Sequence, residues 1–207
     1  KPSAPAYVPG GGIAPPSNAA DILWSEYNHH WSGLFVLVIG LLGMAEKTRR
    51  ARWARHWPLL FLPFAAFLAI RTDPEVWPLG SVGFFASLRD PEVLQHRLFV
   101  LLIVAFGLSE WGVRTGRIVA AKAALVFPLL TAVGGALLLT HSHSLTNVQS
   151  ELLIEITHVP MGILGVIAGW ARWLEIRLPP AERALPAWTW SICFCLIGLL
   201  MLDYRES

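Results

Sequence analysis

Charge is the scarcest property of this chain. Asp, Glu, Lys and Arg together make up 14% of its 207 residues, whereas a soluble domain carries roughly 25%. So few charges cannot cover a globular surface, and hydrophobic residues reach 55%. We therefore expect the lipid bilayer to be the solvent of much of the molecule. The formal net charge of +2 is too small for the electrostatic footprint of a nucleic-acid-binding protein.

Reactive side chains are also scarce. The two cysteines, Cys193 and Cys195, lie two residues apart in an apolar run, where a helix points them to different faces. We therefore expect two small apolar residues rather than a disulfide. The sequence contains no Ser-His-Asp arrangement and no Gly-x-Ser-x-Gly motif, which leaves an enzyme with a nucleophilic residue without support.

Six apolar runs predict an all-α, polytopic membrane protein, a bundle of six transmembrane helices. The runs cover residues 30–45, 57–70, 93–111, 123–140, 150–174 and 186–202. The second is shorter than the roughly 20 residues that a span needs, unless it starts at Trp53, and Pro63 is expected to kink it. Residues 1–27, rich in proline and glycine, are expected to form an arm or linker ahead of a transmembrane domain of residues 28–207.

Basic residues cluster in three of the connections between these runs. The connection after the first run contains Lys47, Arg49, Arg50, Arg52 and Arg55. The connection after the third run contains Arg114, Arg117 and Lys122, and the one after the fifth contains Arg172, Arg177 and Arg183. By the positive-inside rule these connections face the cytoplasm. Both termini, and the arm with them, are then expected on the outer, periplasmic side of a bacterial inner membrane.

The longest connection, residues 71–95, lies on the outer side in this topology. It contains the sequence Asp-Pro-Glu-Val twice, beginning at Asp73 and at Asp90. In each copy Asp suits the N-cap and Pro the first position of a helix. We therefore expect two helix starts here, and a short helix over residues 77–88 that lies on the membrane.

The same topology collects the histidines on one side. Six of the seven, all except His56, fall near the outer face: His29, His30, His96, His141, His143 and His158. On the fifth predicted helix Glu151, Glu155 and His158 are spaced to share one face, and Met161 lies one turn deeper. Ionisable groups inside a membrane face the bundle interior or a wet cavity, so an outward-opening cavity is predicted.

This cluster is a candidate metal site. Imidazole and thioether groups suit copper, because imidazole binds both of its oxidation states and methionine selects Cu(I). His141 and His143 are expected to form the rim of the site. Its floor is expected to be Glu155, His158 and Met161, with His96 as the likeliest third contributor and His29 and His30 as further candidate ligands.

Three other interpretations remain open from the sequence. The histidines near helix ends also suit ordinary polar residues at the membrane interface, and His158 with Glu155 also suits an interhelical hydrogen bond that holds the bundle together. A b-type haem protein or quinone-reactive redox subunit would need two facing histidines at equal depth, and His96 with His158, or His141 with His158, are the candidate pairs. A non-catalytic structural subunit of a larger membrane complex would use the arm to bind along its neighbour.

Three stretches carry a resemblance to a known family. They are His30-Trp31-Ser32-Gly33 opening the first helix, Gln95-His96-Arg97-Leu98-Phe99 opening the third, and the polar outer ends of the fourth and fifth. Over roughly residues 28–177 the chain resembles the copper resistance protein D family of inner-membrane proteins. Since members commonly have more helices, a divergent or truncated relative is implied.

The resemblance also implies a function. It implies copper binding at the periplasmic face, as part of copper resistance or transport, together with a small periplasmic copper carrier. By the same resemblance His30, His96, His141, His143 and His158 are the candidate ligands. The expected protein is thus not an enzyme but one that takes up or hands over copper.

Overall fold

The structure is a computed structural model that describes residues 19–48, 51–119, 122–139 and 148–205, with only the backbone described for Asp21 and for residues 148–154. Its α-helices are α1 (Ala19–Lys47), α2 (Phe61–Arg71), α3 (Phe84–Ser87), α4 (Pro91–Arg114), α5 (Val126–Leu138), α6 (Val148–Arg177) and α7 (Ala184–Leu202). Short 3-10 helices, Arg52–Leu60 and Ala123–Leu125, lead directly into α2 and α5. The all-α prediction is therefore confirmed in the part of the chain that the structure describes.

Five helical stretches are long and apolar enough to cross a membrane. They are Ile22–Lys47, Arg52–Arg71, Pro91–Arg114, Glu155–Arg177 and Ala184–Leu202. The apolar helix Ala123–Leu138 is shorter, and residues 140–147, which follow it, lie outside the described ranges. The chain is thus a multi-pass membrane protein with five candidate spans and a shorter sixth helix, where the sequence predicted six spans.

The first helix begins earlier than predicted. It starts at Ala19, so residues 19–27 belong to α1 and not to the arm. The reason is local, because no glycine or proline interrupts the stretch from Ala19 to Ser32. His29 and His30 consequently lie inside a continuous helix rather than at its entrance.

The second span is built in two parts, which changes the role of its prolines. The 3-10 helix Arg52–Leu60 contains Pro58, and α2 begins immediately after it at Phe61. Pro63 therefore lies in the first turn of α2, where a backbone N–H has no partner within the helix. The change of helix type in this span lies between Leu60 and Phe61.

The connection between α2 and α4 is mostly irregular. Within residues 77–88 only the single turn α3 is helical, so the predicted surface helix is wrong. Asp90 does cap α4, accepting from the amides of Glu92 (2.9 Å) and Val93 (3.4 Å). Asp73, in contrast, begins no helix, because its carboxylate instead accepts a hydrogen bond from His96.

The helices form a closed ring of neighbours. α1 packs on α7, α7 on α6, α6 on α5, α5 on α4 and α4 on α2, while the 3-10 helix Arg52–Leu60 contacts both α1 and α4. Glycines allow close approaches between neighbouring helices, as two contacts show. A Cβ on Gly135 of α5 would lie 2.7 Å from the carbonyl oxygen of Gly162 on α6, and one on Gly33 of α1 would lie 2.8 Å from that of Gly198 on α7.

Six large rings, here called the aromatic core, fill the interior of this ring of helices. They are Trp57, Phe61, Phe106, Phe127, Trp190 and Phe194. Phe61 and Phe106 meet edge to face at 4.6 Å between ring centres, and Trp57 and Trp190 are 5.4 Å apart. Such pairs add to the stabilisation from buried area, and they leave the middle of the bundle filled by side chains.

The bundle has two polar ends, which we name for their residues. The basic end is the one at which α1, α4 and α6 terminate; their last residues are Lys47, Arg114 and Arg177. At the histidine end lie His29 and His30 of α1, His96 of α4 and His158 of α6.

Candidate functional site

Three aromatic rings meet at the histidine end, one from each of three distant parts of the chain. His29 of α1 stacks on Tyr204, which follows α7, at 3.8 Å between ring centres. His158 of α6 stands edge-on to both, 5.7 Å from His29 and 5.8 Å from Tyr204. Tyr204 is fully buried and His158 is 6% exposed. We call these three residues the histidine cluster.

The two histidines of α1 are held by backbone carbonyl groups. His29 Nδ1 donates to the carbonyl of Ser25 at 2.9 Å. His30 Nε2 donates to the carbonyl of Tyr204 at 3.1 Å. Metal-binding histidines are commonly oriented by such a bond from their other ring nitrogen. The bond to Ser25 thus orients the imidazole of His29 on α1.

A buried glutamate of α1 forms an ion pair with the segment that follows α7. Glu26 of α1 is 7% exposed and pairs with Arg205 at 3.5 Å. Because the Arg205 side chain is largely exposed, the pair adds little stability by itself. Together with the His30 bond, however, it ties the residues after α7 to α1.

Sequence reasoning did not single out Glu26 or Tyr204. Glu26 had a usable signal, since it lies three and four residues before His29 and His30 and so shares their side of α1. Tyr204 had none, because it reaches its partners across 174 residues of chain. Only the packing of α7 against α1 brings its ring to His29.

The predicted floor of the site is only partly assembled. His158 and Met161 are both buried, three residues apart on one side of α6, with Met161 3% exposed. Glu155 is exposed, so the described structure does not place it with them in the interior. His141 and His143, and the side chain of Glu151, lie outside the described residues.

His96 lies in a different environment from the one predicted. Its Nδ1 donates to Asp73 at 2.8 Å, and the guanidinium of Arg97 is 3.9 Å from the other oxygen of the same carboxylate. Asp73 stands just after α2 and His96 in the second turn of α4, and these helices pack together. The structure thus builds a second polar group at this end of the molecule, which we call the Asp73 group (Asp73, His96 and Arg97).

The histidine cluster supplies two candidate metal ligands among the described residues. No group of three or more His, Cys, Asp or Glu side chains is placed to hold a metal ion in the described ranges. The geometry of the pair nevertheless suits a shared ion. Two imidazoles bound at about 2.0 Å to one ion have ring centres about 5 to 6 Å apart, and His29 and His158 are 5.7 Å apart.

A second charged site, missed by sequence reasoning, lies at the basic end. Arg114 of α4 binds Glu46 of α1, and its Nε lies 2.6 Å from Oε1 of Glu110. Arg172 of α6 donates to that same oxygen at 2.9 Å and pairs with Glu175 at 2.8 Å. Each arginine therefore bridges two carboxylates, and the chain of ion pairs joins α1, α4 and α6.

Lys47 brings α7 into this ionic network, which comprises Glu46, Lys47, Glu110, Arg114, Arg172 and Glu175. Lys47 Nζ donates to the hydroxyl of Ser191 and lies 3.9 Å from the ring centre of Trp190. The indole of Trp190 donates to Glu175 at 2.7 Å, and that of Trp57 donates to Glu46 at 2.9 Å. The three acidic and three basic side chains have no net charge together. Buried charges need such compensation by charges of opposite sign.

The sequence contained a signal for this network. Glu110 lies inside an apolar run and four residues before Arg114, the spacing of an ion pair along a helix. Lys47, Arg114 and Arg172 were instead counted as cations of the connections. Among the residues that the structure describes, the exposed arginines at the basic end are Arg52, Arg55, Arg117, Arg177 and Arg183.

Comparison of the chain with protein-family models, with characterised proteins and with solved structures found no match. The resemblance to the copper resistance protein D family therefore stays a prediction from the residues that carry it.

Proposed function

We propose that this membrane protein binds copper at its histidine end and takes it up or hands it over there, with His29 and His158 as ligands. The observation that supports the proposal most directly is their convergence. Two imidazoles from α1 and α6 lie 5.7 Å apart in a largely buried setting.

The neighbouring residues favour copper over other ions. Met161 is buried on the same side of α6 as His158, and a thioether is a ligand that Cu(I) selects. We propose that His141 and His143 complete the ligand set, because they precede α6 and belong to the connection between α5 and α6.

The rest of the bundle favours exchange at one face. The aromatic core fills its middle and the ionic network its basic end. Moving a cation past buried arginines is costly, so we propose acceptance and release at the histidine end rather than conduction through the bundle.

The proposed orientation in the membrane rests on the distribution of basic residues. The exposed arginines at the basic end support a cytoplasmic location of that end by the positive-inside rule. The histidine end then faces the periplasm of a bacterial inner membrane. A periplasmic copper carrier is the proposed partner, as the family resemblance implies.

Metal binding to the purified protein tests this proposal. Copper content and affinity should be measured in detergent for the wild type and for His29→Ala, His158→Ala and His158→Gln. Loss of one ligand should lower the affinity by at least about tenfold. His56→Ala is the matched control, since His56 is exposed at the basic end. Unchanged copper binding in a folded His29→Ala/His158→Ala protein would refute the site. A Soret band in the same preparation would support haem instead.

A further inference from the structure

A cluster of polar side chains lies at the surface of the basic end, where α4 ends and the 3-10 helix before α2 begins. The indole N–H of Trp111 approaches Nδ1 of His56 at 3.0 Å, and Nε of Arg55 lies 3.4 Å from Nε2 of the same ring. The guanidinium of Arg117 lies over the indole of Trp111, 4.3 Å from the ring centre. We call these four residues the surface cluster; all except the half-buried Trp111 are exposed.

A tight turn after α4 brings Arg117 back over the indole. Gly116 has a φ of 72°, in the left-handed region that glycine enters without strain. The amides of Arg117 and Ile118 both donate to the carbonyl of Gly112, at 2.9 and 3.0 Å, which closes the end of the helix. The chain thus reverses directly after α4, and its backbone fixes where Arg117 begins.

The surface cluster contains more hydrogen-bond donors than acceptors. Indole and guanidinium groups only donate, and a neutral imidazole has a single lone pair on its ring nitrogens. His56 can therefore accept from Trp111 or from Arg55, but not from both. Whichever bond forms, the other ring nitrogen carries a proton and faces a second N–H group. An oxygen from outside the chain is needed to accept from these facing donors.

The charge of the surface cluster favours an anionic oxygen. Neither Arg55 nor Arg117 forms an ion pair with any residue that the structure describes. The buried arginines of the same end, Arg114 and Arg172, each bind two carboxylates instead. Guanidinium groups match the geometry of phosphate oxygens, so a phosphate complements the two exposed arginines in both charge and hydrogen bonding.

The position of the surface cluster selects a membrane lipid as the source of this phosphate. Arg55 lies near the start of the candidate span Arg52–Arg71. Trp111 lies near the end of another, Pro91–Arg114. Both are therefore at the level of the lipid head groups. Trp53, which is 67% exposed, lies at the same level, where indoles commonly anchor a protein in the membrane interface.

We propose that the surface cluster binds the head group of an anionic phospholipid. The phosphate oxygens accept from Arg55 and from the N–H groups at His56, while Arg55 and Arg117 together supply the positive charge. An acyl chain of the same lipid packs along α4 past Leu108, which lies three residues before Trp111 and is 42% exposed. This site is at the opposite end of the bundle from the histidine cluster and does not depend on copper.

Native mass spectrometry of the purified, delipidated protein tests the proposal, by titration with phosphatidylglycerol and separately with phosphatidylcholine. The wild type should bind the first phosphatidylglycerol molecule more tightly. Arg55→Gln and Arg117→Gln should each weaken that binding about fivefold, since one arginine near an anionic surface contributes about 1 kcal/mol. Arg183→Gln is the matched control: Arg183 is exposed at the same end, but its Nε donates to the carbonyl of Leu178 at 2.6 Å. It should bind phosphatidylglycerol like the wild type.

Several results would overturn the proposal. Equal affinity for the two lipids would show that the surface cluster selects no anion. A loss in Arg183→Gln as large as in Arg55→Gln would show general attraction to surface charge. Displacement of the lipid by an equal concentration of inorganic phosphate would show a site for a soluble anion, and displacement by polyglutamate one for an acidic protein segment.

Copper affinity measured on the same variants should stay unchanged, because the histidine cluster lies at the other end of the bundle. Failure of the lipid site and failure of the copper site are therefore separate outcomes.

Discussion

Arg172 on α6 donates a hydrogen bond to Glu110 on α4, at 2.9 Å, although α5 lies between these helices in the ring of neighbours. The bond therefore crosses the interior of the bundle at the basic end. Glu110 is 1% exposed, so its charge depends on Arg172 and Arg114 for compensation. This makes Glu110 the centre of the ionic network.

Glu110→Ala should destabilise the protein strongly. Removing one partner of a buried ion pair costs about 3–5 kcal/mol, because the remaining charges stay buried without compensation. Equilibrium unfolding in mixed micelles, followed by circular dichroism, measures the loss. Glu182→Ala, an exposed acid of the connection before α7, should change stability by less than about 0.5 kcal/mol.

A double-mutant cycle separates this explanation from simple loss of packing. If the cost comes from uncompensated charge, Glu110→Ala combined with Arg172→Ala should be less destabilising than the sum of the single changes. Additive losses would show that the two residues do not act as a pair.

Neighbouring glycines of α5 should respond in opposite ways to the same substitution. A Cβ at Gly135 would meet backbone atoms of Gly162 and Val166 at 2.7 Å, whereas a Cβ at Gly134 would meet only a ring atom of Phe99, at 4.0 Å. Gly135→Ala should therefore destabilise by about 1–3 kcal/mol, since α5 and α6 must move apart. Gly134→Ala should be neutral or stabilising by up to about 1 kcal/mol, because alanine favours the helix.

Both proteins should be compared by thermal unfolding in the same detergent. Equal effects at the two positions would contradict the close packing of α5 on α6. The pair controls for helix propensity, because both glycines lie in the same turn of the same helix.

Sequence reasoning predicted the helices well and the contacts between them poorly, for a physical reason. Apolar runs and the Asp90 cap are local signals, and both appear in the structure. His29 contacts Tyr204 only because α7 packs against α1. Glu110 contacts Arg172 only because α6 and α4 face each other across the bundle. No local pattern carries this information.

The sequence likewise did not show which neighbours the candidate site residues contact. His158 and Met161 share a buried side of α6, as their three-residue spacing allows. His96 was grouped with them because it lies at the same end, but depth does not determine which neighbour a side chain meets. In the structure its Nδ1 donates to Asp73 at 2.8 Å.

Tyr204→Ala should weaken both the fold and copper binding. The ring is fully buried and stacks on His29 at 3.8 Å, so its removal should cost about 3 kcal/mol or more. It should also free His29 to turn away from His158 and lower the copper affinity. Tyr27→Ala is the control, because Tyr27 is an exposed tyrosine of the same end of α1. Full copper affinity in a Tyr204→Ala protein would show that the ring does not position His29.

The orientation of the bundle can be tested with single cysteines at its two ends. Ser81 lies exposed in the connection at the histidine end and Glu182 in one at the basic end. A membrane-impermeant maleimide should label Ser81→Cys on intact cells, freed of any outer barrier, but Glu182→Cys only after permeabilisation. The wild type is the background control, since Cys193 and Cys195 lie within a span. If the labelling is reversed, the exposed arginines face outward against the positive-inside rule. The histidine cluster would then open to the cytoplasm, where it would meet a different copper donor from the one proposed.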